Sequence, residues 1–164
     1  MNIEQRSEEL AAEGGRLLTR QKLTLALAES CTGGLIAHRV SMVPGCSAYF
    51  LGGVVSYADS AKQALLGVAA EVLEREGAVS ESVAAQMALG VRSRLGADIG
   101  ISVTGIAGPD GGTPQKPVGL VFMGFANPRG EVTVQRYEFR GNRLDIKEQS
   151  CRAALEWLLA YLKE

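Results

Sequence analysis

The sequence predicts an α/β fold: a three-layer α/β/α sandwich around a mixed, mostly parallel sheet that includes a C-terminal antiparallel hairpin. Three observations lead there. Helical and extended hydrophobic patterns alternate along the chain, as α/β layers require. Residues 23–29, LTLALAE, form a short apolar run whose length suits a strand covered on both faces. Residues 118–126 and 131–139 alternate apolar and polar, and Asn127-Pro128-Arg129-Gly130 splits them, so they pair as a hairpin.

The remaining elements follow in order. Residues 4–20 read as an opening helix, with Leu10, Leu17 and Leu18 near helical spacing and a weakening Gly14-Gly15 pair inside. After the first strand, Thr32-Gly33-Gly34 opens a helix to about Val43, where Pro44-Gly45 stops it. Residues 50–57, FLGGVVSY, are a second strand. Asp59 or Ser60 can cap a helix at 60–66 that Gly67 ends, and 69–76 is a short helix. Val83, Met87, Val91 and Leu95 mark a helix at 80–95. Residues 98–104 are a strand, and 105–117 are a loop dense in glycine and proline. Gly141-Asn142 precedes a last helix, 143–162, with Leu144, Cys151, Leu155, Leu158 and Leu162 on one face.

Composition narrows the function. The 164 residues fit a single domain, 1–164, that can bury one continuous core. A formal net charge of −1 gives no basic excess to pull on a phosphate backbone, so no nucleic-acid partner is expected. Cys31, Cys46 and Cys151 lie far apart, and their odd number points to free thiols in a reducing cytosol. One histidine, His38, argues against a multi-histidine metal site. The N-terminus is polar, and no stretch of about 18 apolar residues occurs. A cytoplasmic protein with no membrane partner is expected.

Glycine is the outlier, 20 residues of 164 against ordinary usage of about 7%. It clusters at Gly33-Gly34, Gly52-Gly53, and Gly105, Gly108, Gly111 and Gly112. Two of these clusters follow predicted strands, where open α/β sheets bind ligands. The segment Glu29-Ser30-Cys31-Thr32-Gly33-Gly34 also begins a helix, whose free N–H groups favour an anion. It fits neither a Walker loop nor G-x-S-x-G. The plainer reading is a tight turn with a serine or threonine cap.

A serine at such a turn is a nucleophile if a base reaches it. His38 lies two helical turns along and is a poor candidate. Lys62 is better placed, early in the helix after the second strand, because a lysine whose pKa is lowered can serve as base. Read on its own it is equally a solvated surface lysine. Cys31 beside the serine reads as a small core residue. In the loop after the third strand, Gly105 and Gly108 let the backbone approach a ligand. Arg143 begins the last helix, where a cation does not suit the dipole; a ligand phosphate or a plain salt bridge explains it.

Several segments together resemble one family. They are Ala28-Glu29-Ser30-Cys31-Thr32-Gly33-Gly34; Gly53-Val54-Val55-Ser56-Tyr57 with Lys62; Leu65-Leu66-Gly67-Val68; the run from Ser102 to Gly112; Lys116-Pro117-Val118-Gly119; and Gly141-Asn142-Arg143. In this order they resemble the C-terminal domain family of the competence/damage-inducible protein CinA, over about residues 23–160. Stand-alone members are nicotinamide mononucleotide deamidases, and longer members carry a further domain. The resemblance implies an amidohydrolase that converts nicotinamide mononucleotide and water to nicotinate mononucleotide and ammonia. It places the nucleophile on Ser30, the base on Lys62 and a catalytic tyrosine on Tyr57, and either protonated Lys62 or Tyr57 as relay then passes a proton to the leaving ammonia. It places ligand-binding residues on Thr104 and Arg143, beside Thr32, Gly33, Gly34, Gly105 and Gly108 of the glycine turns. No metal or organic cofactor is expected, and a homo-oligomer is. Asp59 departs from the family, which carries asparagine there, and a carboxylate so near Lys62 raises the lysine's pKa. The alternative is a non-catalytic module that binds a nucleotide for regulation.

Overall fold

The computed structural model describes residues 2–164. Ile3–Gln21 forms α1, which opens on a capping box between Asn2 and Gln5. Gly14-Gly15 does not interrupt it. The Tyr49 ring packs so closely on Gly15 that a Cβ has no room there. Packing thus offsets the helix weakening that glycine brings.

Leu25–Glu29, β1, is buried along its length. The helix that follows, α2, spans only Leu35–Ser41, three residues later than the sequence suggests. Gly33 and Gly34 take φ of +61° and +100°, values no right-handed helix contains, so 30–34 turn before the helix starts. A 3-10 turn at Cys46–Ala48 leads into β2, Phe50–Val55. Three helices come next: α3 Asp59–Leu66, α4 Ala70–Glu76 and α5 Glu81–Leu95. Ala58, not Asp59 or Ser60, occupies the cap position of α3, and no side chain bonds there; Asp59 is the first helical residue. Ile99–Gly105 is β3, Leu120–Ala126 is β4 and Val132–Glu138 is β5. The last helix, α6, is Arg143–Lys163, capped by Asn142 with Asp145.

The five strands run in the order β2-β1-β3-β4-β5. Pairing is parallel from β2 to β3 and antiparallel from β3 to β5. The chain leaves β1 through α2 on one face and returns to β3 through α3, α4 and α5 on the other. Leu25, Leu27, Ile99, Ile101, Met123 and Phe125 pack with α1, α2 and α6. On the opposite face Ala26 and Ala28 meet Val83, Met87 and Val91 of α5. Gly100 and Gly124 let α5 lie almost on the sheet, since a Cβ at either would strike the carbonyl of Ala88 or Ala84. The crossover from β1 leads outward to β2 and the next returns past β1 to β3, so the connections part at the carboxyl ends of β1 and β3, the usual ligand position in such sheets.

Candidate active site

Ser30 is the residue immediately after β1. Its N–H still donates to Val103 O of β3 at 2.9 Å, and Ser56 N–H donates to Glu29 O at 2.8 Å. The ladder therefore runs one residue past each strand and brings Ser30 and Ser56 side by side. Tyr57 and the start of α3 lie beyond, and α3 folds Lys62 back beneath them.

Lys62 is 1% exposed, the largest fully buried side chain of the chain's described residues. Its Nζ has three oxygen neighbours: Ser56 O at 2.7 Å, Ser30 Oγ at 3.0 Å and Tyr57 O at 3.1 Å. None of them belongs to a carboxylate. Burial pushes the Lys62 amine below the ordinary lysine range; Asp59 and then Cys31 pull it the other way, less strongly. Carbonyls can only accept, so two N–H bonds of the amine point at Ser56 and Tyr57. In the neutral amine the lone pair is then left facing the Ser30 hydroxyl, which is the hydrogen-bond geometry of a base beside its nucleophile.

Glu29, the residue before Ser30, fixes this turn. It is 1% exposed. Its Oε2 accepts from Thr32 Oγ1 at 2.6 Å, Ile36 N–H at 3.1 Å and Gly34 N–H at 3.2 Å, and its Oε1 from Ala37 N–H at 2.8 Å. The carboxylate thus caps α2 from inside the fold. The sequence reading expected these N–H groups to be free for a ligand anion, and here the structure corrects it. The signal was present but ambiguous, an acid closing an apolar strand just before a helix. Gly33 N–H returns to Ser30 O at 3.0 Å and Leu35 N–H to Thr32 O at 3.2 Å. Among the described residues the Thr32 N–H has no partner, whereas the Cys31 N–H faces its own thiol.

The other expected site residues fall in two groups. Thr32 and Thr104 are buried, and each hydroxyl is spent inside the fold, Thr32 on Glu29 and Thr104 on Ala78 O at 2.8 Å. Arg143 stands at the site's edge, its Nη1 donating to Gly108 O at 2.6 Å and its Nη2 to Tyr57 Oη at 2.7 Å. Gly105 follows Thr104 at the end of β3, close against Val121. Tyr57 is 55% exposed. Its hydroxyl meets Arg143, whereas its carbonyl meets Lys62. Cys31 is buried in the core, and its thiol is pushed up to about 12, chiefly by burial. It carries no thiolate near neutral pH. His38 lies exposed on α2, away from these groups.

One cation escaped the sequence reading. Lys147 is one turn after Arg143 on α6, and its Nζ lies 3.5 Å from where a Cβ on Gly33 would stand. Four-residue spacing from Arg143 was its only signal, and a solvated helix face gives the same spacing.

Comparison with known proteins follows the same lines. The family model described as "CinA C-terminal domain" matches residues 7–162. A "CinA-like protein" of Syntrophotalea carbinolica is 50% identical over 155 residues, covering 94% of this chain and 37% of that one. A "CinA-like protein" of Thermosynechococcus vestitus is 56% identical over 134 residues, covering 82% of this chain and 32% of the relative. The chain thus spans about a third of the length of these relatives. Among solved structures, the competence/damage inducible protein CihA from Agrobacterium tumefaciens superposes with a TM-score of 0.93 at 41% identity, covering 97% of this chain and 96% of that one. A CinA superfamily protein from Escherichia coli gives 0.91 at 35% identity, covering 94% and 90%.

Proposed function

The chain belongs to the CinA C-terminal domain family, and we propose that it is an amidohydrolase that deamidates nicotinamide mononucleotide, with Ser30 as nucleophile and Lys62 as base. One observation carries this reading: a buried lysine amine, its charge disfavoured by burial, stands 3.0 Å from a serine hydroxyl at the carboxyl end of a central strand.

The steps follow from the groups present. Neutral Lys62 takes the Ser30 proton as Oγ attacks the carboxamide carbon. Charge collects on the carboxamide oxygen, for which the Thr32 N–H, without a partner among the described residues, is the backbone donor; one such donor is worth about 10²–10³ in rate. The protonated amine, held by the Ser56 and Tyr57 carbonyls, returns its proton to the departing nitrogen, and ammonia leaves. Water then attacks the acyl-serine with Lys62 again as base. Carboxylate and free Ser30 result, so the sum is one amide and one water to one acid and one ammonia. Tyr57 Oη, joined to Arg143, borders the ligand rather than the dyad in this arrangement.

Ser30→Ala tests the reading. Ammonia release from nicotinamide mononucleotide should vanish while binding of the nucleotide persists. Undiminished ammonia release in that variant would remove Ser30 as nucleophile. A wild-type protein that binds the mononucleotide and releases no ammonia would instead be the non-catalytic nucleotide-binding module.

A further inference from the structure

We propose that Lys147 is a specificity residue, forming with Arg143 a two-cation subsite for a phosphoryl group beside the Ser30 turn. In the reading above, this is what separates a mononucleotide from its uncharged nucleoside, and the assignment of the phosphoryl group to a pyridine nucleotide rests on that reading.

Among the described residues, Arg39 is met by Glu4, Glu8 and Glu148, and Lys163 by Glu13. Lys147 is half-buried, yet among the described residues it has neither a carboxylate within salt-bridge distance nor a hydrogen-bond acceptor. Arg143 donates only to neutral oxygens, the Gly108 carbonyl and the Tyr57 hydroxyl. The acids that could answer them are committed. Glu29 faces four donors of the turn, Asp145 accepts from Asn142 N–H at 2.8 Å, and Glu148 turns to Arg39. Two uncompensated cations on one helix face at four-residue spacing repel each other. An anion between them removes that cost.

Position supplies the second strand of the argument. Lys147 arrives at Gly33 of the turn, which lacks the side chain that would meet Nζ at 3.5 Å. The Gly33 N–H bonds back to Ser30 O at 3.0 Å, so the ammonium arrives on the same tight turn as the nucleophile's residue. Arg143 reaches the same zone from the Gly108 side and touches Tyr57, whose carbonyl holds Lys62. A ligand with its amide at Ser30 meets Lys147 on the Gly33 side and Arg143 on the Tyr57 side. A phosphoryl group matches that pair, since its oxygens accept both from a planar guanidinium and from a compact ammonium.

The test compares Lys147→Met, which keeps the aliphatic stem, with Lys147→Arg, which keeps the charge. Two readouts are needed. The first is the ratio of kcat/KM for nicotinamide mononucleotide over nicotinamide riboside. It should fall about 10–100-fold in Lys147→Met, through KM, and recover in Lys147→Arg, the loss of one charge-assisted contact. The second is binding of inorganic phosphate, followed by amide chemical shifts of the 30–34 turn. It should weaken in Lys147→Met and recover in Lys147→Arg. Unchanged phosphate binding in Lys147→Met, or equal loss on both substrates, overturns the subsite. Phosphate binding that depends on Lys147 in a protein that hydrolyses neither substrate keeps the subsite and overturns the deamidase instead.

Discussion

Two glycine-rich connections leave the carboxyl ends of adjacent parallel strands, and they are built in opposite ways. The turn after β1, residues 30–34, is bonded from within. Glu29 collects four donors, and Ser30, Cys31 and Thr32 are buried. The loop after β3, residues 106–119, is bonded at its neck, where Ile106 and Gly119 exchange contacts with Leu120, Phe139 and each other. Residues 109–115 beyond that neck are exposed. Composition makes the two look alike. What separates them is a buried carboxylate. Chemistry that needs a nucleophile and a base held within about 3 Å belongs on the braced turn. Contacts to the variable part of a ligand can come from the open loop.

The largest effect should come from the base. In Lys62→Met, ammonia release should fall by about 10²–10⁴, the range of a positioned general base. The Ser56 and Tyr57 carbonyls lose their partner, but the cost of burying an amine ends as well. The fold should therefore persist, checked by circular dichroism. A variant that keeps its rate would mean that Ser30 is deprotonated by something else, and the braced turn would lose its chemical meaning.

Next in size is the bracing itself. Glu29→Gln replaces one accepting oxygen with an NH₂ group that faces N–H donors. At least one buried donor is then unpaired, at about 1–3 kcal/mol. Thr113→Ala removes the matching bond in the open loop, where Thr113 Oγ1 accepts from Lys116 N–H at 3.0 Å on an exposed surface. Its effect should stay within about 0.5 kcal/mol. Urea melts of the two variants measure the difference. Equal losses would show that the two connections are braced alike after all.

The sequence revealed the layers more readily than the site. The apolar run of β1 and the β4–β5 hairpin carry strong patterns because one is buried on both faces and the other is closed by Asn-Pro-Arg-Gly. The start of α2 did not, because two positive-φ glycines and a side chain from the previous strand decide it. Ser30 and Lys62 are 32 positions apart, and no local spacing joins them. Their pairing depends on β1 and β2 ending level, a tertiary fact; residue types alone leave Lys62 equally a base for Ser30 or a solvated lysine, and the family resemblance joins the two. Glu29 and Lys147 stayed hidden for a related reason. An acid ending a strand and a lysine on a helix face are commonplace until the backbone they meet is known.

The smallest effect sharpens the comparison from the chemical side. Asp59 is exposed at the first helical position of α3, and its charge is the main influence raising the Lys62 pKa against burial. In Asp59→Asn that influence goes, so the amine loses its proton at lower pH. A base acts only when unprotonated, so the rising limb of kcat/KM against pH should move to lower pH, and activity near neutrality should increase. Stability follows the same sign. The folded state releases the Lys62 proton before the unfolded chain does, so stability grows as pH rises from the depressed folded value toward the ordinary lysine value of 10.5. Asp59→Asn extends that window at its acid end, which urea melts across the alkaline range would register. Asp110 is exposed in the open loop, beyond its neck, so Asp110→Asn should leave the limb in place. A shift in Asp110→Asn and none in Asp59→Asn would put the titrating group at the loop and not on the braced turn.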